Sequence, residues 1–224
     1  MEGGARQAAV VTGGSRGLGL LLARHLAEAG FGVVICARDP ERLETAAGML
    51  REQGAEVVPV AVDITDADAP QRLLDAAMKR FGRLDMLVNN AGVIQVGPAR
   101  TAGEEDYREA METMFFAPLR LTLAALPELR RTRGRIVNIT SVGGRIAAPH
   151  LLPYVAAKFA GTGLSEGLRA ELARDGVSVT TVLPGLMRTG SHGAARFQGR
   201  QEAEYAWFAA AASMPLLSTD AERA

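Results

Sequence analysis

The sequence predicts an α/β fold in which helices cover both faces of a doubly wound parallel sheet, giving a three-layer α/β/α sandwich. Short β-rich runs alternate with helical patterns along the 224 residues, and this order implies right-handed crossovers between parallel strands. Some runs, such as Val33–Ile35 and Met86–Val88, are apolar throughout, as expected of strands buried on both faces. Gly30, Gly54 and Gly176 stand where the C-caps of three helices would lie.

Each element can be placed in order along the chain. The predicted strands are Ala8–Thr12, Gly32–Cys36, Glu56–Val62, Leu84–Asn89, Arg135–Thr140 and Val177–Leu183. The predicted helices are Gly17–Ala29, Pro40–Gln53, Asp68–Phe81, Glu104–Arg131, Leu152–Arg174 and Arg200–Ser213. Another helix start is predicted at Ser218, because Thr219 and Glu222 have the spacing of a capping box. The chain stops two residues after Glu222, so the last helix and strand of such a sheet are expected to be truncated.

Composition narrows the functional classes. An apolar content of 48% over this length predicts one domain, residues 1–224, with a sizeable core. The formal net charge is zero and the basic residues are scattered, so no nucleic-acid partner is predicted. No apolar run reaches membrane length, and the single cysteine, Cys36, fits a reducing compartment, so a cytoplasmic location without membrane contact is predicted. His25, His150 and His192 lie far apart, and no metal site is predicted.

A glycine-rich turn follows the first predicted strand and opens the first helix. Its glycines permit a tight turn, close approach of the backbone to a pyrophosphate and close packing of helix on strand, while the free N–H groups of the helix N-terminus face the anion. The predicted cofactor-binding residues of this loop are Gly13, Ser15, Arg16, Gly17, Leu18 and Gly19. A plain glycine turn is the alternative, and the strand–loop–helix order favours nucleotide binding.

The end of the second predicted strand bears on the choice of cofactor. An acidic residue there would bind the ribose 2′-hydroxyl of NAD, whereas arginine accommodates the 2′-phosphate of NADP. Ala37 and Arg38 end this strand and Arg16 lies in the glycine-rich turn, so two guanidinium groups could bind one phosphate. NADP(H) is therefore predicted over NAD(H). Asp39 keeps NAD(H) open, since a shift of two positions would bring its carboxylate to the ribose.

The pair Tyr154 and Lys158 gives the most direct indication of chemistry. The two residues are four apart on a predicted helix, so both side chains project from one face. A neighbouring ammonium favours the phenolate and lowers the tyrosine pKa from ~10, which would let Tyr154 exchange a proton with a carbonyl or alcohol oxygen. The alternative is that they are surface neighbours on an amphipathic helix.

With Asn89-Asn90-Ala91-Gly92 and with Ser141, thirteen residues before Tyr154, these motifs resemble the short-chain dehydrogenase/reductase family in its single-domain form. The resemblance runs from the first strand to Thr189 and implies a seven-stranded Rossmann-type sheet that binds a nicotinamide cofactor. By this resemblance, Tyr154 is the general acid/base and Ser141 binds the substrate oxygen. Lys158 would hold the nicotinamide ribose and lower the tyrosine pKa.

The resemblance also implies further cofactor-binding residues, namely Asp63, Ile64, Asn89, Ala91, Gly92, Tyr154, Lys158, Pro184, Gly185 and Thr189. Asp63 is similar to the family's adenine-contacting aspartate. Asn89 would line the cofactor cleft, and Asn90 would brace the sheet. The segment Pro184–Thr189 would orient the nicotinamide carboxamide.

The chain departs from the family at Met114, where members usually carry an asparagine that completes a catalytic tetrad. A thioether cannot supply the amide hydrogen bonds, so either the main chain serves the proton relay or turnover is reduced. Simple packing of Met114 is the alternative.

The shortened end of the sheet removes one usual subunit interface. A homodimer through the helices Glu104–Arg131 and Leu152–Arg174 is predicted, with a tetramer as the alternative.

Substrate specificity would come from the loops beyond the carboxyl ends of the strands. Apolar side chains there predict an apolar pocket: Ile94, Leu151, Leu152, Met187, Phe197, Trp207 and Phe208. Residues 186–213 are predicted to form a substrate loop or lid, with packing of Trp207 and Phe208 on the core as the alternative. The sequence thus predicts an oxidoreductase that transfers a hydride between NADP(H) and a small-molecule ketone, aldehyde or secondary alcohol. A non-catalytic NADP(H)-binding sensor or partner subunit is the alternative function.

Overall fold

The computed structural model describes residues 6–188, 195–213 and 218–220. Its strands are β1 (Ala8–Thr12), β2 (Gly32–Ala37), β3 (Val57–Ala61), β4 (Met86–Asn89), β5 (Gln95–Val96), β6 (Arg135–Ile139), β7 (Ser178–Val182), β8 (Leu186–Arg188), β9 (Arg196–Phe197) and β10 (Ser218–Asp220). The main sheet of the described residues has six parallel strands in the order β3-β2-β1-β4-β6-β7, one strand fewer than the resemblance implies. The order reverses between β1 and β4, and ligands of such sheets bind at this switch point, beyond the carboxyl ends of the strands.

Helices cover both faces of this sheet. The described residues form the helices α1 (Gly17–Glu28), α2 (Pro40–Glu52), α3 (Ala69–Phe81), α4 (Glu104–Met111), α5 (Ala117–Thr132), α6 (Leu152–Leu172) and α7 (Gln201–Ser213). Residues alternate between faces along β1: Val10 packs with Leu121 of α5 in one core cluster, whereas Val11 packs with Leu43 of α2 in the other. The predicted three-layer sandwich is therefore confirmed.

The six predicted main strands and most of the predicted helices are confirmed to within two residues at each end. The predicted helix Glu104–Arg131 differs, because a π-helical turn, Glu112–Phe116, separates α4 from α5. Pro118 supplies a physical reason, since it has no N–H and cannot donate the α-helical hydrogen bond to the carbonyl of Met114. The distortion lies at the position where the sequence departs from the family.

The predicted helix start at Ser218 is wrong. Ser218–Asp220 form β10, which pairs in parallel with β8, and Glu222 lies outside the described residues. A cap stabilises a helix by only about 1 kcal/mol, so the backbone pairing with β8 outweighs this local preference. Among the described helices, none combines the length and the apolar composition needed to cross a membrane.

Candidate active site

The glycine-rich turn after β1 forms a backbone cradle. Gly13 and Gly17 adopt φ values of 68° and 52°, in the left-handed region that favours glycine. A Cβ atom on Gly19 would lie 2.2 Å from the carbonyl oxygen of Gly13, so the start of α1 can approach the loop this closely only without a side chain. Arg16, the N-cap of α1, makes no side-chain cap. The first amides of the helix are therefore not capped by that side chain, and the donor set suits the phosphates of a dinucleotide.

Thr12 and Asn90 join this cradle to the end of β4. The Thr12 Oγ1 atom accepts hydrogen bonds from the backbone N–H groups of Asn90 and Ala91, at 2.9 and 3.0 Å. In return, the Asn90 Nδ2 atom donates to the carbonyl oxygen of Thr12 at 2.8 Å. Thr12 was not among the predicted site residues, although it is buried and bonded to both loops of the cleft.

The side chain of Asn89 contacts β6 and α5, and its predicted place in the cofactor cleft stays a prediction. It is buried, and its Nδ2 atom donates to Asn138 Oδ1 of β6 at 2.8 Å and to Thr122 Oγ1 of α5 at 3.3 Å. Successive side chains of a strand point to opposite faces, so Asn89 faces the helix layer. Asn90, just beyond the end of β4, turns to the glycine loop.

The structure brings Ser141, Tyr154 and Lys158 together. Tyr154 and Lys158 lie in the first turns of α6, and the Lys158 Nζ atom is 5.7 Å from the centroid of the Tyr154 ring. The same Nζ atom donates a hydrogen bond of 2.8 Å to the carbonyl oxygen of Ile139, at the end of β6. Ser141 follows two residues later, and its Oγ atom accepts from the N–H of Gly143 at 3.0 Å. The hydroxyl of Ser141 also interacts with that of Tyr154.

Burial controls the protonation of this group. It lowers the pKa of Lys158 to about 8, because the ammonium loses its hydration. Burial also raises the pKa of Tyr154, and the hydrogen bond with Ser141 opposes that rise. The sequence predicted that Lys158 lowers the pKa of Tyr154. In the folded protein the pKa of Tyr154 is raised instead, because burial desolvates the phenolate. Tyr154 is therefore a protonated acid at neutral pH, which suits the reduction of a carbonyl group.

Met114 lies directly beneath this group. Its side chain is 5% exposed and packs with Ala157 and Tyr154, which confirms its packing role. A Cβ atom on Gly92 would lie 3.4 Å from the Met114 sulfur and 3.9 Å from Lys158 Nζ. The carbonyl oxygen of Met114 faces Gly161 of α6, where a Cβ atom would lie 3.2 Å away. The backbone distortion is thus present although no asparagine occupies the position.

The tip of β2 places two of the residues that bear on cofactor choice. Asp39 is the N-cap of α2, and its Oδ1 atom accepts from the N–H of Arg42 at 3.1 Å. Its carboxylate is therefore engaged in capping a helix. Arg38 extends into solvent with 63% of its side chain exposed, and its Nη1 atom is 3.8 Å from Asp63 Oδ2. The side chain of Arg16 is exposed as well.

The other described residues that were predicted to bind the cofactor follow the carboxyl ends of strands of the main sheet. Three of them are half-buried: Ser15 in the loop after β1, Leu18 in the first turn of α1 and Ile64 in the loop after β3. A Cβ atom on Gly13 would lie 3.0 Å from the Cα atom of Ala91, so these two loops touch. Pro184, which precedes Gly185, accepts a hydrogen bond at its carbonyl oxygen from the N–H of Val142 at 2.9 Å. Thr189 lies outside the described residues.

His150 and Glu204 form a contact that the sequence gave no reason to expect. His150 Nδ1 lies 2.6 Å from Glu204 Oε2, across 54 residues of chain. No local pattern signals a contact of that separation. Phe208 is buried, as the packing interpretation expects, whereas Trp207 is 42% exposed. The role of this segment as a lid stays a prediction.

Comparison with known proteins agrees with this geometry. The family profile described as short chain dehydrogenase matches residues 7–198. The chain belongs to the short-chain dehydrogenase family. It is 37% identical over 188 residues to a ketoacyl reductase of the granaticin polyketide synthase from Streptomyces violaceoruber, covering 83% of this chain and 69% of that protein. It is 35% identical over 185 residues to gluconate 5-dehydrogenase from Gluconobacter oxydans, covering 81% and 71%.

Solved structures of family members superpose closely on the chain. A variant of the actinorhodin polyketide ketoreductase with NADPH matches with a TM-score of 0.84 and 33% identity, over 97% of this chain and 87% of that one. A family member from Burkholderia phymatum in complex with NAD matches with a TM-score of 0.89 and 26% identity, over 99% and 84%. The fold and the family are therefore shown, and both nicotinamide cofactors occur among the relatives.

Proposed function

We propose that this protein transfers a hydride between NADP(H) and a ketone, an aldehyde or a secondary alcohol, with Tyr154 as general acid/base. The observation that carries the proposal is the group of half-buried Ser141 and Tyr154 with buried Lys158, in which Lys158 Nζ lies 2.8 Å from the carbonyl oxygen of Ile139. This group lies beyond the carboxyl ends of the strands, as the backbone cradle after β1 does. A half-buried tyrosine beside a serine and a buried lysine supports an acid/base role over an exposed surface pair.

In the direction of reduction, each residue has a defined task. When bound, the cofactor supplies the hydride that adds to the carbonyl carbon. Tyr154 donates its phenolic proton to the carbonyl oxygen as that oxygen gains the electron pair. Ser141 donates a hydrogen bond to the same oxygen and stabilises its developing charge. Lys158 stabilises the phenolate that remains on Tyr154 and holds the ribose hydroxyl groups of the cofactor.

NADP(H) is the proposed cofactor. Arg38 and Arg16 are exposed beside the adenosine end of the cleft and can bind a 2′-phosphate with charge-assisted hydrogen bonds. Asp39 caps α2, which disfavours its use as a ribose ligand. We expect the Arg16→Ala/Arg38→Ala variant to bind NADPH about 10- to 100-fold more weakly and NADH unchanged. Arg169→Ala, an exposed change on α6, is the control, and equal losses for both cofactors would contradict the assignment.

A ketone is the favoured substrate class. Two of the relatives are ketoreductases of polyketide synthesis, and L-sorbose reductase of Gluconobacter frateurii, complexed with NADPH and L-sorbose, matches with a TM-score of 0.85 and 26% identity. A non-catalytic NADP(H)-binding role is the second candidate, because Met114 replaces the relay asparagine. The expectation of a cytoplasmic location rests on the reducing compartment that a single cysteine fits.

The test is NADPH oxidation, followed by absorbance, with a panel of ketones and aldehydes. We expect turnover on at least one ketone and a loss of at least about 100-fold in Tyr154→Phe, because general acid catalysis contributes 10²–10⁴-fold. That variant should still bind NADPH, because the backbone cradle after β1 is intact. Tight NADPH binding without turnover on any carbonyl compound would support the non-catalytic role instead.

A further inference from the structure

His150 occupies a fixed and unusual place in the loop that leads into α6. Its φ of 63° is in the left-handed region, which few residues other than glycine adopt. Its carbonyl oxygen accepts a hydrogen bond of 2.8 Å from the N–H of Gly97. Tyr154 follows four residues later in the chain. The position of His150 is therefore tied both to the loop after β5 and to the catalytic helix.

The side chain of His150 binds two residues of α7. Its Nδ1 atom lies 2.6 Å from Glu204 Oε2, and its ring centroid is 5.4 Å from that of Trp207, with the planes tilted by 35°. Glu204 and Trp207 are three residues apart and so share one face of the helix. Glu204 is 8% exposed. A buried carboxylate needs a hydrogen-bonding partner, and His150 supplies one from outside the helix.

A second set of contacts docks the segment before α7. β9 pairs in parallel with β5, and the Arg196 Nη1 atom donates to Glu109 Oε2 of α4 at 2.7 Å. The same carboxylate oxygen accepts from Gln95 Nε2 at 2.8 Å. Val93, two residues before β5, packs against the cluster that contains Met114 and Tyr154. The segment 195–208 is therefore docked on β5 and α4, and Val93 connects β5 to the cluster of Met114 and Tyr154.

We propose that His150 and Glu204 are positioning residues that hold α7 as one wall of the substrate pocket, against the loop that leads into Tyr154. This inference rests on the proposed function and deepens it. The pair touches none of the acid/base side chains that the structure describes, so its loss should weaken substrate binding without changing the chemical step. The cofactor cradle after β1 does not involve α7, so NADPH affinity should not depend on the pair.

The test exchanges Glu204 and reads two independent signals. Glu204→Met keeps an unbranched side chain and removes the hydrogen bond to His150, whereas Glu204→Gln retains an acceptor at that place. Glu202→Met is the matched control, because a residue two positions away points to another face of the helix and is exposed. Trp207 is the only tryptophan of the chain, so its fluorescence reports the docking of α7 without any activity measurement.

We expect Glu204→Met to raise KM for the ketone about tenfold, with kcat within about twofold and the dissociation constant of NADPH unchanged. Its Trp207 emission should shift in the absence of ligands, and Glu204→Gln should restore most of both signals. The proposal would be overturned by an unchanged KM or by a parallel loss of kcat and NADPH affinity in Glu204→Met. It would also be overturned if Glu204→Gln behaved as Glu204→Met does. If the wild type reduces no carbonyl compound, the proposed activity is rejected and the Trp207 emission of Glu204→Met tests the positioning by itself. A shift in that emission supports the positioning of α7. An unshifted emission rejects it.

Discussion

The Nζ atom of Lys158 donates a 2.8 Å hydrogen bond to the carbonyl oxygen of Ile139, so the helix that carries Tyr154 is tied to the strand that leads to Ser141. This contact fixes the lysine in a buried place, where its pKa is lowered to about 8 by desolvation. The proposed acid/base group therefore contains a cation that loses its proton near pH 8.

This protonation predicts the pH dependence of the reaction. The ammonium of Lys158 is present below pH 8 and is lost as the pH rises through its pKa of about 8. The pKa of Tyr154 is raised, so the tyrosine stays protonated over that range. We expect kcat/KM for ketone reduction to fall by up to about tenfold per pH unit above this value. Lys158→Arg keeps its charge over this range, so it should be slower but show no fall in kcat/KM above pH 8. The same fall in that variant would show that another group titrates.

Met114→Asn should raise turnover. Pro118 has no N–H to donate to the main-chain carbonyl of Met114, so the side-chain amide is the part of the relay that is missing. We expect a gain of roughly two- to tenfold, well below the full contribution of a general acid. The buried methionine also packs on Ala157, and its loss should lower the unfolding free energy by about 2 kcal/mol. Met114→Leu, which lacks the amide, is the control and should show no gain. No faster turnover in Met114→Asn would count against a relay limited by this residue.

Gly19→Ala should abolish tight cofactor binding. The new methyl group would lie 2.2 Å from the Gly13 carbonyl oxygen and 2.5 Å from Asn90 Nδ2, which displaces the phosphate cradle. We expect the NADPH dissociation constant to rise at least about tenfold, since loss of one charge-assisted hydrogen bond already costs that much. The matched control is Gly48→Ala in α2, where an added Cβ meets nothing within 4 Å. It should raise the unfolding free energy by about 0.5–1 kcal/mol and leave NADPH binding intact.

Phe159→Glu should disrupt the predicted homodimer. Phe159 of α6 and Leu123 of α5 are 44% and 54% exposed, and Phe116 in the π-helical turn between α4 and α5 is 43% exposed. Exposed apolar side chains on the two long helices favour a two-fold contact between copies. Light scattering at micromolar concentration should show a dimer for the wild type and a monomer for the variant. Met49→Glu, an equally exposed change on α2, should remain dimeric, whereas a monomeric or stably tetrameric wild type would refute the prediction.

The sheet could be predicted because its signal is local. Val33–Ile35 and Met86–Val88 are apolar throughout, and both lie in buried strands of the main sheet. Local preference also explains the failures. The spacing of Thr219 suggested a helix cap, but pairing with β8 is a contact between segments distant in sequence, which local spacing does not report.

Side-chain direction at the site was harder to predict than residue identity. Tyr154 and Lys158 were found from their type and spacing, and Ser141 from the family resemblance. Which of Asn89 and Asn90 turns to the glycine-rich loop depends on where β4 ends. Likewise, the raised pKa of Tyr154 follows from burial, which spacing on a helix does not reveal. Pro118 was a local signal for the π-helical turn, because a missing N–H removes one helical hydrogen bond.

The hydrogen bonds of Thr12 matter for experiments that change cofactor preference by transplanting loops. Its hydroxyl oxygen serves the amides of Asn90 and Ala91 while its carbonyl receives the Asn90 side chain. The turn after β1 and the segment after β4 therefore form one hydrogen-bonded unit, although Thr12 and Asn90 are 78 residues apart in the sequence. A graft that imports the first half alone would bring a foreign loop against an unmatched asparagine, and a successful graft must carry both.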